Sequence, residues 1–239
     1  MKKATSKKTK SAANLIARRR PVAKKAGAKK VGTKKAVAKK YAASISKQPR
    51  ASRPTEPARI ALVPSQEVIA FAASHIRDIP DFPKKGIVFK DITPLLASPR
   101  AFHIVLDTLA ERFIGEHIDA VVGVDARGFI FGGALAARLN ASFVPARKPG
   151  KLPGASDSVA YDTEYSTATL EMHKGSIREG ARAIIVDDLL ATGGTACAAA
   201  ELVRIQGGYV IAFAFVIELT FLGGREKLLP VRVESVISY

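Results

Sequence analysis

Hydrophobic spacing changes character several times along the chain. The first 55 positions carry few large apolar residues and no helical or strand period. Val68, Phe71, Ala72, His75 and Ile79 then recur at helical spacing and predict a helix over 65–78, ended by Pro80. Residues 79–94 read as a proline-punctuated loop with a short extended run inside it. Phe102, Val105, Leu106, Leu109 and Phe113 place a second amphipathic helix over 101–116. An apolar run over 120–124 reads as a buried strand, 131–140 as a helix of small residues and 141–146 as another strand. Residues 161–165 and 168–172 read as two strands of a β-ribbon. Further on come an apolar strand over 183–186, a helix over 196–206 closed by Gly207 and Gly208, and a strand over 209–217. A helical turn over 223–228 and an edge strand over 231–237 complete the chain. Strands alternating with helices predict an α/β domain.

Charge divides the chain in two. Of 38 Lys and Arg, 19 lie in residues 1–55, which hold none of the 21 Asp and Glu; residues 56–239 are left with 19 bases and 21 acids, a net of −2. The formal charge of +17 and the pI near 10.1 therefore describe a tail. Residues 1–55 are expected to be a disordered basic Lys/Ala-rich tail, and 56–239 a single domain with a full core. Lysine pairs at 24–25, 29–30, 34–35 and 39–40 repeat every five residues, a period that suits neither helix nor strand. The composition resembles the basic tails of bacterial DNA-associated and linker-histone-like proteins, which implies salt-sensitive, non-specific nucleic acid binding. A solvated tail with no partner fits equally well. A transit peptide fits the absence of acids but not the lysine pairs. No apolar run approaches membrane-span length, and the patch over 12–17 is too short for a signal peptide. The single cysteine, Cys197, cannot form an internal disulfide, which fits a cytoplasmic location.

The chemistry concentrates in residues 183–195, Ala-Ile-Ile-Val-Asp-Asp-Leu-Leu-Ala-Thr-Gly-Gly-Thr. A strand, two adjacent carboxylates, a small-residue loop and a helix start follow in order. Such a loop offers backbone N–H groups to a phosphate, while Asp187 and Asp188 could accept hydrogen bonds from sugar hydroxyls. A plain strand-to-helix turn, its acids capping the helix, is the alternative. The lysine of a Walker A loop is absent. Arg127, in the loop after the 120–124 strand, offers a permanently charged fork suited to pyrophosphate. Arg147, Lys148 and Lys151 belong to a basic loop broken by Pro and Gly. The four histidines have no metal-ligand spacing.

The stretch Val-Asp-Asp-Leu-Leu-Ala-Thr-Gly-Gly-Thr resembles the phosphoribosyl-pyrophosphate (PRPP) motif of type I phosphoribosyltransferases, in the form found in the adenine phosphoribosyltransferase family. Residues 79–94, Asp125-Ala126-Arg127-Gly128-Phe129 and the loop from Arg147 resemble that family's hood, pyrophosphate loop and mobile catalytic loop, in the family's order. The resemblance implies a central, mostly parallel sheet flanked by helices, with a small N-terminal hood and a mobile β-ribbon loop. It implies transfer of a phosphoribosyl group from PRPP to adenine, giving AMP and pyrophosphate, with Mg2+ bound through PRPP, in a homodimer. By the same resemblance Ala191, Thr192, Gly193, Gly194 and Thr195 hold the 5′-phosphate, and Asp187 and Asp188 the ribose. Arg127, Arg147, Lys148 and Lys151 meet pyrophosphate. Phe89 and Leu219 sandwich the base, whose edge the backbone at Val88 and Lys90 reads. Glu164 handles the base proton; spacing does not rank it against Glu171, and only the Glu-Tyr pair favours it. Ala126 stands where many members have Ser, and a cis peptide is expected at Asp125–Ala126. A phosphoribosyltransferase for another base and a PRPP-sensing regulator are the alternatives.

Overall fold

A computed structural model describes residues 65–162 and 167–239, so the tail expected over 1–55 and Glu164 lie outside the described residues. Five parallel strands form the central sheet, in the order β4 (Ser142–Ala146), β3 (Ala120–Val124), β7 (Arg182–Leu190), β8 (Tyr209–Glu218) and β9 (Arg232–Ser238). The chain leaves β3 toward β4 on one side and leaves β7 toward β8 and β9 on the other. The strand order therefore reverses between β3 and β7, and their carboxyl ends open a crevice there.

Both faces of the sheet are buried. Along β7 the side chains alternate, Ala183 and Ile185 to one core cluster and Ile184 and Val186 to the other. The first cluster is completed by α5 (Gly194–Ile205) and by Leu170 and Met172 of the ribbon. The second takes in α1 (Gln66–Ala73), α2 (Thr93–Ala97), α3 (Pro99–Glu111) and α4 (Gly128–Leu139). The ribbon consists of β5 (Ser156–Asp162) and β6 (Thr167–His173), paired antiparallel. The parallel sheet and the edge position of β9 agree with the sequence-based expectations; the ribbon is present, but its first strand is Ser156–Asp162 where 161–165 was expected, and 163–166 lie outside the described residues. Among the described residues no helix is long and apolar enough to cross a membrane.

Residues 65–97 depart from expectation in two places. The helix predicted over 65–78 stops at Ala73, and Arg77–Pro80 is a strand, β1, paired antiparallel with β2 (Val88–Asp91). Ser74 Oγ and His75 Nδ1 both lie within hydrogen-bond distance of the Phe71 carbonyl, at 2.8 and 2.9 Å, so side chains take over an acceptor the next helical turn would need. Ion pairs then favour the strand: Arg77 Nη2 lies 2.6 Å from Asp91 and Lys90 Nζ 2.8 Å from Asp78. This two-stranded unit is the hood. A short helix after it, α2, was not anticipated; Pro94 sits in its first turn, where no donor is lost.

Asp91 ties the hood to α2. It accepts from the Thr93 hydroxyl at 2.6 Å and the Thr93 N–H at 2.9 Å, besides pairing with Arg77. These bonds, the Thr93 hydroxyl foremost, lower its pKa from 3.8 to about 2. The folded value lies below the unfolded one, so Asp91 stabilises the fold fully above 3.8 and loses that effect as the pH falls through about 2. Asp91→Ala is accordingly expected to lower the urea midpoint at neutral pH, with the gap to wild type closing over that acid range.

Candidate active site

A cleft of about 460 Å³ occupies the crevice between the carboxyl ends of β3 and β7. It gathers Arg127, Lys148, Asp187, Asp188, Ala191, Thr192, Gly193, Gly194 and Thr195, all singled out in the sequence. Gly193 caps α5 with φ +77°, a left-handed conformation suited to glycine. A glycine cap has no side chain to spend on the helix, so the first N–H groups of α5 remain available to an anion. Cys197, one turn further on, is a packed helix residue as expected: its Sγ lies 3.8 Å from the Lys227 carbonyl, and burial pushes the thiol up to about 11.

The two acids are not equivalent. Asp188 is buried, and Arg127 Nη2 lies 2.8 Å from its Oδ2. The contact is an ion pair without alignment: that oxygen has no well-directed hydrogen bond from the described residues. Asp187 takes the Asp188 N–H at 2.8 Å on Oδ1. Burial, and next the charge of Asp188, raise the pKa of Asp187 well above 3.8. Burial also raises Asp188, against the opposing pull of Arg127. The site therefore holds two carboxylates, one with an oxygen that lacks an aligned donor, beside backbone N–H groups free to meet an anion. A molecule carrying hydroxyls and a phosphate satisfies both.

The remaining predicted residues stand outside the cleft lining. Phe89 is half-buried, 5.0 Å beneath the Arg127 guanidinium and edge-on to Phe82 at 5.2 Å. Val88 beside it is exposed. The Lys90 side chain is engaged by Asp78 and by the Tyr239 ring, 3.6 Å away, leaving only its backbone for a ligand. Leu219 donates its N–H to the Leu190 carbonyl at 2.9 Å, which seats it at the end of β7. Arg147 is not free in the cleft: its Nε bonds Asp125 at 3.0 Å and its Nη1 the Lys151 carbonyl at 3.1 Å. The Lys151 side chain is exposed beyond the lining. Glu171, the rival to Glu164, accepts from the Gly150 N–H at 3.2 Å and bridges Arg147 through its backbone, so it anchors the base of the ribbon. The Asp125–Ala126 peptide is cis, as expected.

Tyr161, Phe215 and Asp125 also line the cleft and were not singled out as site residues. Phe215 looks like any other core residue of an apolar strand. Asp125 could have been found, since it stands two residues before Arg127 at a strand end.

The family model described as phosphoribosyl transferase domain matches residues 93–234. The chain is 72% identical over 166 residues to the adenine phosphoribosyltransferase of Sorangium cellulosum, a match spanning 70% of this chain and 83% of that one. The crystal structure of the adenine phosphoribosyltransferase from Thermoanaerobacter pseudethanolicus superimposes with a TM-score of 0.70 at 50% identity, covering 72% of this chain and 99% of that one. The Saccharomyces cerevisiae adenine phosphoribosyltransferase, complexed with an imino-altritol bisphosphate and adenine, gives 0.67 at 40% identity over 71% and 98%.

The raised pKa of Asp187 has a consequence for stability. Folding favours its protonated form, so it costs the fold nothing below 3.8 and most once the pH exceeds its folded value. Asp187→Asn keeps the acceptor for the Asp188 N–H and removes the charge. Its melting temperature is expected to exceed that of wild type at neutral pH and to match it in acid, as followed by circular dichroism.

Proposed function

The chain belongs to the adenine phosphoribosyltransferase family, and from that premise we propose how its residues share the work of the reaction. The protein is an enzyme of purine salvage that transfers the 5-phosphoribosyl group of PRPP to adenine, giving AMP and pyrophosphate. One observation carries the division of labour: paired acids, a phosphate loop and an arginine converge on one cleft at the sheet's switch point.

The 5′-phosphate takes the backbone N–H groups and hydroxyls of residues 191–195, and Asp187 and Asp188 accept from the ribose hydroxyls. The N9–C1′ bond forms as the C1′–O bond to pyrophosphate breaks, with positive charge passing through the ribose ring. The two carboxylates, held near that charge, stabilise it. Arg127, Lys148 and Lys151 take the growing charge on pyrophosphate. Arg147 joins them by exchanging Asp125 for the anion. Glu164 takes the proton adenine gives up. Phe89 and Leu219 sandwich the base. A backbone carbonyl in the hood accepts from the exocyclic amine, and meets only lone pairs on an oxopurine. The stacking of Arg127 on Phe89 supports this reading, because it couples the base side of the cleft to the pyrophosphate side.

Mg2+ enters with PRPP. Two adjacent carboxylates are hard oxygen donors of the kind it prefers. As the family resemblance implies, the ion would be held mainly through PRPP oxygens, hydroxyls and water. Held near Asp187 and Asp188 by PRPP, such an ion would supply Lewis-acid stabilisation of charge on the leaving pyrophosphate. The enzyme acts as a homodimer, as the family resemblance implies. It works in the cytoplasm, in keeping with its free cysteine. Residues 1–55 bind nucleic acid without reading sequence and independently of catalysis, as their charge supports. The rival readings, another base or a PRPP-sensing regulator, lack such support; the relatives described above are all named for adenine.

AMP formation from adenine and PRPP tests the reading. Turnover is expected with adenine, far less with guanine or hypoxanthine, none in EDTA, and full recovery with Mg2+. Asp188→Asn is expected to lower kcat/KM at least ~100-fold, on the scale of losing a group that stabilises transition-state charge. A chain lacking residues 1–55 should keep wild-type turnover, elute as a dimer by light scattering, and lose salt-sensitive DNA retention. Turnover of guanine or hypoxanthine without adenine would end the adenine assignment, and loss of turnover on truncation would end the view of the tail as independent.

A further inference from the structure

Behind the phosphate loop lies a part-buried polar network, centred on a buried carboxylate, that the catalytic assignments leave unused. Glu218, at the end of β8, is a buried carboxylate. Arg225 clasps it through both arms of its guanidinium, Nε at 2.8 Å from Oε1 and Nη2 on Oε2. The same guanidinium donates to the Val233 carbonyl at 2.8 Å and to Ser235 Oγ at 3.1 Å. Ser235 Oγ in turn donates to Glu218 Oε2 at 2.7 Å. Every partner is on β8 or β9. Surface ion pairs contribute little, but a fork held by a buried carboxylate and two further acceptors fixes the backbone that carries it.

That backbone follows directly on Gly224, whose carbonyl shares a peptide with the Arg225 N–H. A Cβ on Gly224 would stand 2.1 Å from the Ala191 carbonyl oxygen, and one on Gly193 would stand 2.8 Å from the Gly224 oxygen. The phosphate loop therefore rests on the Gly224 peptide with no room between them. The 3-10 turn Arg225–Leu228 supports the loop again one turn into α5, where Cys197 meets the Lys227 carbonyl.

We propose that Arg225 is a positioning residue for PRPP: through Glu218 and Ser235 it fixes Gly224, and Gly224 fixes the height and orientation of the N–H groups of residues 191–195. The inference rests on the reading that this loop holds the 5′-phosphate. Arg225 touches neither substrate nor reacting atoms. Its larger effect falls on the ribose phosphate, because the hood residues Val88, Phe89 and Lys90 are carried by different elements and only Leu219, next to Glu218, links the brace to the base side.

The test measures kcat, KM for PRPP, KM for adenine and melting temperature. The variants are Arg225→Lys, Arg225→Met and the double Glu218→Leu/Arg225→Met, with Thr195→Ala as loop control. Arg225→Met is expected to raise KM for PRPP about tenfold, ~1.4 kcal/mol, with a clearly smaller change in KM for adenine, and Arg225→Lys to recover part of the loss. The single variant leaves Glu218 buried and unpaired and melts lower. The double removes that charge and regains melting temperature, but not the PRPP affinity. An unchanged KM for PRPP in Arg225→Met, or recovery of both stability and KM in the double, overturns the inference. Should Arg225→Met not fold, Arg225→Lys and the double decide by the same readings. A normal KM for PRPP in Thr195→Ala overturns the reading of the loop itself, a result separable from failure at Arg225.

Discussion

Two adjacent carboxylates closing the central strand face a single guanidinium, and that imbalance organises the molecule. Asp188 faces Arg127 at 2.8 Å without an aligned hydrogen bond, and burial and its neighbour hold Asp187 toward the protonated form. A core would not choose such an arrangement, since a buried carboxylate oxygen without an aligned donor, as on Asp188, opposes folding. It is stable because β7, five strands of sheet and apolar clusters on both faces surround it. The arrangement is suited to a ligand whose hydroxyls supply the missing donors and whose reaction develops positive charge beside the pair. Strain at the site and tolerance in the scaffold are two sides of one design.

The anion-binding half of the cleft works differently. Residues 56–239 carry a net of −2, so no general positive field draws a polyanion in. Affinity has to arise locally, from N–H groups at a glycine-capped helix and from Arg127 and Lys148. N–H groups serve only where their directions are held. The phosphate loop gains that rigidity from contact with Gly224, and Gly224 from the clasp of Arg225 on Glu218. Cleft, loop and brace thus form one path from the buried sheet to the ligand.

Much of this was legible in the amino-acid order, and what was not has physical causes. The strand over 120–124 appears with the predicted bounds because continuous apolar residues admit no other reading. The stretch from Asp187 to Thr195 was legible because strand, acids, glycines and helix start are contiguous. The end of α1 was not, since it depends on Ser74 and His75 bonding back to Phe71 and on Arg77 meeting Asp91 fourteen residues away. Phe215 was invisible as a site residue because only the sheet's register, opposite Asp187, brings it to the cleft. Arg147 illustrates the limit of motif reading: its residue type suits pyrophosphate, yet the fold pairs it with Asp125. Arg225 carried no local signal at all, for its partners lie on two strands.

The central claim is that the acids take the sugar and the glycine-capped helix takes the phosphate. A crystal structure with AMP bound tests it most directly. The account predicts the 5′-phosphate on the backbone N–H groups of residues 191–195, the ribose hydroxyls on Asp187 and Asp188, and the adenine ring against Phe89. A phosphate seated away from that loop, or a ribose turned from both carboxylates, would contradict it.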